Sequence, residues 1–260
     1  MADCLRHRRP FHGSRVIAVE GMPPTADHLA MGILVNNLPN VDMYMYAVGM
    51  PGDPKKVTMS LNPVNKGGSS VKGNKPFTEM SDDQLQDLFH PGKKGRFAQK
   101  VVVEEYEVPL TTGDLMLKYN PALKAILIAK VDIEGHEGHF LKGSQNLFSK
   151  YPPCIMTIDL ILEWLERAGT PVEEILDLLT GWGYGNVPTA ANLMASNEKG
   201  KTKTLRQKNF TACLERVEAN FQENLIAESR EAGAPGHAVL GDIQAGEARA
   251  KELDALLLRS

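Results

Sequence analysis

Asp132 and Glu134 close the aliphatic run KAILIAKVDIEG one residue apart, and Gly135, His136, Glu137 and His139 follow them. Side chains alternate along a strand, so acids at i and i+2 share one face and converge at its tip. A glycine beside them lets a ligand or a backbone come close. Two like charges at a buried strand end are costly unless a ligand, a cation or a hydrogen-bond donor offsets them. Glu20, closing RVIAVE, and Asp159, closing PPCIMTID, stand at the ends of two further candidate strands. A carboxylate in such a place can accept hydrogen bonds from both hydroxyls of a ribose; the other reading of Glu20 is a turn residue or a cap on the next helix. Glu134, His136, Glu137 and His139 together could suggest a metal. The histidines are three residues apart rather than the four of a zinc-binding helix, and no cysteine is near. They read instead as solvated residues of a first helical turn, and no metal is expected.

These residues need a parallel sheet to present them, because ligands of such sheets sit beyond the carboxyl ends of the strands. RVIAVE, then TADHLAMGILVNN, then VDMYMYAVG reads as strand, helix, strand. Thr25 is placed to cap that helix, with Leu29, Ile33 and Leu34 turned inward. KKVTMSLN and FAQKVVVEEYEVP read as strands, and between them Pro63 to Arg96 is polar and rich in Gly and Lys. That stretch reads as an insertion on the rim, with one short helix, SDDQLQDLF, capped by Ser81. KAILIAKVDIEG has the continuous aliphatic content of a strand covered on both faces. PPCIMTID is the next strand, and the helices LILEWLERAG and TPVEEILDLLTGWGYG follow. The second has Thr170 as N-cap, Pro171 in the first turn and Glu173 completing a capping box. ILDLLTGWGYG also has the outline of a strand entering a Gly-x-Gly-x-Gly turn, but Val172, Ile175, Leu176 and Leu179 fall at helical spacing, which favours the helix. Farther on, EKGKTKTLRQK reads as a solvated linker before two more helices. The expected organisation is an irregular segment over 1–14, an α/β domain over 15–185 with an insertion over 63–97, and a helical extension over 186–260.

The chain has 260 residues, 42% of them hydrophobic, and a formal net charge of -3. That is enough for a real core, and the charge offers no general attraction to nucleic acid. The lysines of EKGKTKTLRQK have no aromatic residues among them on which bases could stack, so nucleic acid is not an expected partner. No apolar run approaches the roughly 18 residues of a membrane span. Cys4, Cys154 and Cys213 are widely spaced, without a CxxC, and suit a reducing intracellular compartment.

AKVDIEGHEGHFLKG followed by YPPCIMTID resembles the FkbM-type methyltransferases, which carry a strand ending in Asp-x-Glu-Gly-x-Glu, a helix with Leu-x-Gly and a next strand ending in an acid. RVIAVEGMPPTADHLAMGILVNNLPNVDMYMYAVG, VPLTTGDLM and EEILDLLTGWGY resemble further segments of that family. The resemblance runs from about Arg15 to Tyr184. It implies a Rossmann-like class I α/β sheet and S-adenosylmethionine as methyl donor, with transfer to an oxygen of a small-molecule or sugar-like acceptor. It implies donor contacts at Glu20, Gly21, Asp132 and Gly135. Asp132, Glu134 and His136 become the candidates for orienting the reactants and taking the acceptor's proton. The glycine-rich first strand of such folds has no counterpart here, since only MADCLRHRRPFHGS precedes RVIAVE. The expected fold is therefore a class I sheet lacking its usual first strand, with extra C-terminal helices. Two ladder edges then pair with each other, with another segment, or with a partner chain or second copy. A catalytically silent relative serving as a subunit of a larger assembly is the alternative to an enzyme.

Overall fold

The Val-Ile-Ala-Val run forms strand β1 (Val16–Val19), and the prolines at 23 and 24 open helix α1 (Pro23–Val35), where their fixed φ suits a first turn. The computed structural model describes residues 15–89, 102–195 and 202–232. The chain continues through β2 (Val41–Tyr44), β3 (Ala47–Val48), β4 (Lys56–Ser60), β5 (Ser70–Val71), α2 (Asp82–Phe89), β6 (Glu105–Thr111) and α3 (Gly113–Tyr119). Then come β7 (Ile128–Val131), α4 (Glu137–Lys142), α5 (Gln145–Lys150), β8 (Ile155–Asp159), α6 (Leu162–Arg167) and α7 (Val172–Gly181). The described elements close with β9 (Tyr184–Gly185), α8 (Ala190–Ala195), β10 (Thr202–Gln207) and α9 (Phe210–Ala232).

The fold is mixed α/β with three sheets. β1 and β2 pair in parallel. β3, β6, β4 and β5 form a second sheet, parallel between β3 and β6 and antiparallel beyond. The third runs β7, β8, β10, β9, with β7 and β8 parallel and β10 antiparallel to both its neighbours. Among the described residues no strand pairs with the second edge of β1 or of β7. The main core lies around β8: Met156, Ile158, Leu165, Ile175, Leu179 and Leu141 are inaccessible to solvent. Each such side chain contributes about 1.5–3 kcal/mol relative to exposure.

Several expectations hold. Helix α7 buries Val172, Ile175, Leu176 and Leu179, so ILDLLTG is helical and does not run as a strand into a glycine loop. Ser81 Oγ accepts from Gln84 N–H at 3.4 Å while Gln84 Oε1 accepts from Ser81 N–H at 2.9 Å, a reciprocal cap on α2.

Others are corrected. Helix α1 begins at Pro23 with Met22 as its N-cap, and Thr25 Oγ1 is buried with no partner. Leu29 and Leu34 do not turn inward; Leu34 is 56% exposed, and Ala26 is the one residue of α1 that is fully buried. The N-cap of α7 is Pro171 without a side-chain cap, because Thr170 is packed into the notch left by Gly138 of α4. β7 is not covered on both faces: it is four residues long and Ile128 is 61% exposed, since β7 is the edge strand of its sheet. Residues 202–207, read as solvated linker, form β10 between β8 and β9, with Leu205 buried against the core. Within the described part of the insertion, Ser69, Ser70, Asn74, Lys75 and Thr78 are buried. Cys154 and Cys213 are joined in a disulfide. The segment 1–14, the final helix near GEARAKELDALLL and Cys4 lie outside the described residues. Among those described, no helix is long and apolar enough to cross a membrane.

Candidate active site at the strand ends

Glu20 follows β1 and extends its ladder, its N–H donating to Tyr44 O at 3.0 Å. Its side chain is half-buried, and Oε1 accepts from Met22 N–H at 2.8 Å, so the carboxylate caps the start of α1. Burial pushes the carboxyl up from its ordinary value, against the pull of the Met22 and Gly21 amides. Gly21 is required by packing: a Cβ there would come within 2.8 Å of Met59 Sδ and 3.0 Å of Ala47 N.

β7 stops at Val131, so the pleat does not carry on through Asp132 and Glu134. Glu134 and Gly135 both have left-handed backbone, at φ 58 and φ 100, and the chain turns sharply there. The two acids therefore part company. Asp132 is exposed and accepts from Lys130 Nζ at 2.7 Å. Glu134 instead pairs with Lys75 of the insertion, whose ammonium also donates to Gly68 O at 2.9 Å and lies 4.0 Å from the centre of the Trp164 ring. Gly135 sits against Trp164 and Asn74, leaving no room for a Cβ. Lys130 feels Asp132 most strongly and Asp159 and Glu134 as well, and its ammonium is held above the usual lysine range. Asp159, at the end of β8, has Oδ1 buried without a hydrogen-bond partner.

The histidines differ from expectation. His136 is only 6% exposed, and burial, with His139 beside it, pushes its imidazole down from 6.5 to about 4 despite Asp53. Its Nδ1 lies 3.1 Å from the Asn74 amide nitrogen. His139 is held between Asp53, at 2.9 Å from Nδ1, and Ala168 O, at 2.8 Å from Nε2. Burial would raise the Asp53 carboxyl, but the Met50 amide, the His139 hydrogen bond and the fields of both histidines outweigh it and hold it below the ordinary value. Neither histidine is a solvated first-turn residue. The donor atoms of Asp53, His136 and His139 all lie within 4.8 Å of one another, a constellation able to hold a cation. Sequence reading missed Asp53 altogether, because it sits 83 positions before His136 in a Gly-Asp-Pro turn with no local mark of chemistry. Glu137, read as a solvated first-turn residue, is instead buried and accepts from Ile133 N–H at 3.1 Å and Gly135 N–H at 2.9 Å, fastening the turn that carries Asp132 to His136. The last Glu of Asp-x-Glu-Gly-x-Glu was its signal.

Two open surface grooves, one lined by Lys142, Glu174, Asp177 and Trp182 and the other by Glu166 and Thr170 to Glu173, include none of the strand-end acids.

The described residues thus form a mixed α/β protein with carboxylates at or just beyond the carboxyl ends of the parallel strands β1, β7 and β8. A family model, the methyltransferase FkbM domain, matches residues 3–185, and the chain belongs to that family. No curated protein and no solved structure matches it.

Proposed function

We propose that this chain is an S-adenosylmethionine-dependent methyltransferase that acts on an oxygen of a small-molecule or sugar-like acceptor. The family match supports methyl transfer, and the buried Asp159 Oδ1, which has no hydrogen-bond partner, supports a site at the strand ends: an acceptor of that kind is satisfied by a hydroxyl of donor or acceptor. Bound there, the donor supplies a methyl group activated on a sulfonium. The acids fit such a donor better than the glycines do, because Gly21 and Gly135 are filled by protein atoms.

Glu20 keeps one carboxylate oxygen beyond its Met22 bond for ribose hydroxyls. Asp132 is exposed and takes the proton of the acceptor hydroxyl as its oxygen attacks. Glu134 and His136, tied to Lys75 and Asn74, orient the turn that carries Asp132. The open edges of β1 and β7 are where another segment, a partner chain or a second copy completes the sheet.

Isothermal titration with S-adenosylhomocysteine tests the reading. One site per chain is expected, lost in Glu20→Ala and weakened in Glu20→Gln, which keeps an acceptor for Met22 N–H. Circular dichroism checks that both variants are folded. Heat flow that is absent from the intact chain, or unchanged in both folded variants, overturns the proposal.

A further inference from the structure

The strongest unassigned cluster is Asp53, His136 and His139. It is assembled from two distant parts of the chain. The turn after β3 carries Asp53, and its shape is held by Met50 N–H donating to Asp53 Oδ2 at 2.8 Å and Asp53 N–H donating to Met50 O at 3.1 Å. Gly143, at the end of α4, lies so close to Gly49 that a Cβ on it would collide with the Gly49 carbonyl oxygen. This approach seats the turn on α4, one helical turn of which presents His136 and His139. Gly49 in its turn leaves room for the Asp53 carboxylate, which any Cβ there would strike.

Both rings direct a nitrogen at the same carboxylate oxygen. His139 Nδ1 is 2.9 Å from Asp53 Oδ2, and His136 Nε2 is 3.9 Å from it, with the rings stacked at 4.2 Å. His136 Nε2 is buried with no hydrogen-bond partner, in a side chain only 8% exposed. An orphaned ring nitrogen in a dry place, aimed at a carboxylate just too far for a hydrogen bond, leaves space for something bonded to both. The outer nitrogens are also engaged. His139 Nε2 donates to Ala168 O at 2.8 Å, which leaves Nδ1 as the nitrogen that faces Asp53. His136 Nδ1 meets the Asn74 amide, and turning that amide by its two-fold ambiguity offers Oδ1 to an Nδ1–H, which frees the Nε2 lone pair. Ring nitrogens backed by a carbonyl and an amide are the usual support of metal-bound histidines.

We propose that Asp53, His136 and His139 form a binding site for a divalent first-row transition-metal ion of the zinc or iron(II) kind. Two imidazoles and one carboxylate select such ions over magnesium or calcium, which take oxygen ligands. Bonds of about 2.0–2.2 Å require the His139–Asp53 pair to open from 2.9 Å and His136 Nε2 to move in from 3.9 Å. On binding, His139 Nδ1 gives up to solvent the hydrogen it shares with Asp53, and the ion takes its place. Three protein ligands leave a coordination position for water. This site shares only His136 with the proposed methyl transfer, where that side chain orients a turn, and uses none of Glu20, Asp132 or Asp159; its failure would leave that reading untouched.

The test uses the whole chain produced without a histidine tag, stripped with a chelator and then titrated with zinc and, separately, cobalt(II), iron(II), magnesium and calcium. Expected are one zinc or iron(II) per chain and none of magnesium or calcium. Affinity should fall at least about 10- to 100-fold in His136→Gln and Asp53→Asn, and be unchanged in His28→Gln, whose ring is exposed on α1. X-ray absorption of the zinc-loaded wild type needs no variant and should show scattering from two imidazoles. No retained ion, equal affinity in folded His136→Gln and Asp53→Asn, or thiolate in place of imidazole scattering overturns the proposal.

Discussion

Glu137 and His136 are neighbours in sequence and both buried, yet burial acts on them in opposite senses. It raises the Glu137 carboxyl from 4.5 to about 7, the Glu134 charge adding to it and the turn's amides opposing it. It lowers His136 from 6.5 to about 4. Between 4.5 and about 7 folded Glu137 holds a proton that the unfolded chain has released, so its contribution to stability declines as pH rises. Between about 4 and 6.5 folded His136 lacks a proton that the unfolded chain has taken up, so its contribution increases with pH. In chelator-treated wild type the two slopes offset each other where the windows overlap. Glu137→Gln removes one slope, and its melting temperature should climb with pH across that overlap. His136→Gln should show a fall instead. Scanning calorimetry measures both, and slopes of the same sign in the two variants would refute the opposed burial.

At the scale of elements, the insertion anchors the site. Lys75 and Glu134 have side chains only 7% and 18% exposed, and Lys75 also reaches Gly68 O and the Trp164 ring. Removing one partner of such a pair strands the other charge away from water, which typically costs about 3 kcal/mol or more. Lys75→Met should therefore lower the urea midpoint clearly. Adding Glu134→Gln to it should restore much of the loss, because no charge is then left alone. A double variant as unstable as the single one would mean that Lys75 acts through its packing on Trp164 and not through Glu134. Helix α1 tells the opposite story. Leu29, Met31, Leu34 and Val35 face solvent, since nothing among the described residues packs over that side of β1 and β2.

Over the whole molecule, α9 is fastened back across the third sheet. The Cys154–Cys213 disulfide joins the entry to β8 with α9, Arg216 donates to Lys124 O at 3.1 Å and to Pro152 O, and Asn220 donates to Lys124 O at 3.2 Å. The bridge closes 59 residues of chain, for which loop-closure entropy predicts roughly 4 kcal/mol. Cys213→Ser should lose about 2–4 kcal/mol in denaturant unfolding. Dithiothreitol should shift wild type down to the variant's midpoint and leave the variant unmoved. A reductant-insensitive wild type would show that the bridge adds nothing to the fold.

The chemistry-bearing acids, the helical spacing of Val172 to Leu179, the Ser81 cap and the family motif were all legible in the sequence, because each is a local pattern of period or composition. Partnership across the chain was not. The aliphatic content of KAILIAKV suggested a covered strand, but whether both of its edges find a neighbour depends on which other segments arrive, and at the second edge of β7 none of the described ones does. The period-two rule joined Asp132 and Glu134 until two left-handed residues ended the strand. Lysines in EKGKTKTLRQK looked solvated because strand pairing is a backbone matter that their side chains do not announce. Asp53 met His136 and His139, and Lys75 met Glu134, only through contacts spanning more than fifty residues, made possible where Gly49 and Gly143 let two backbones touch. Local sequence encodes what a segment can be; tertiary packing alone decides which charges are dry and which of them face each other.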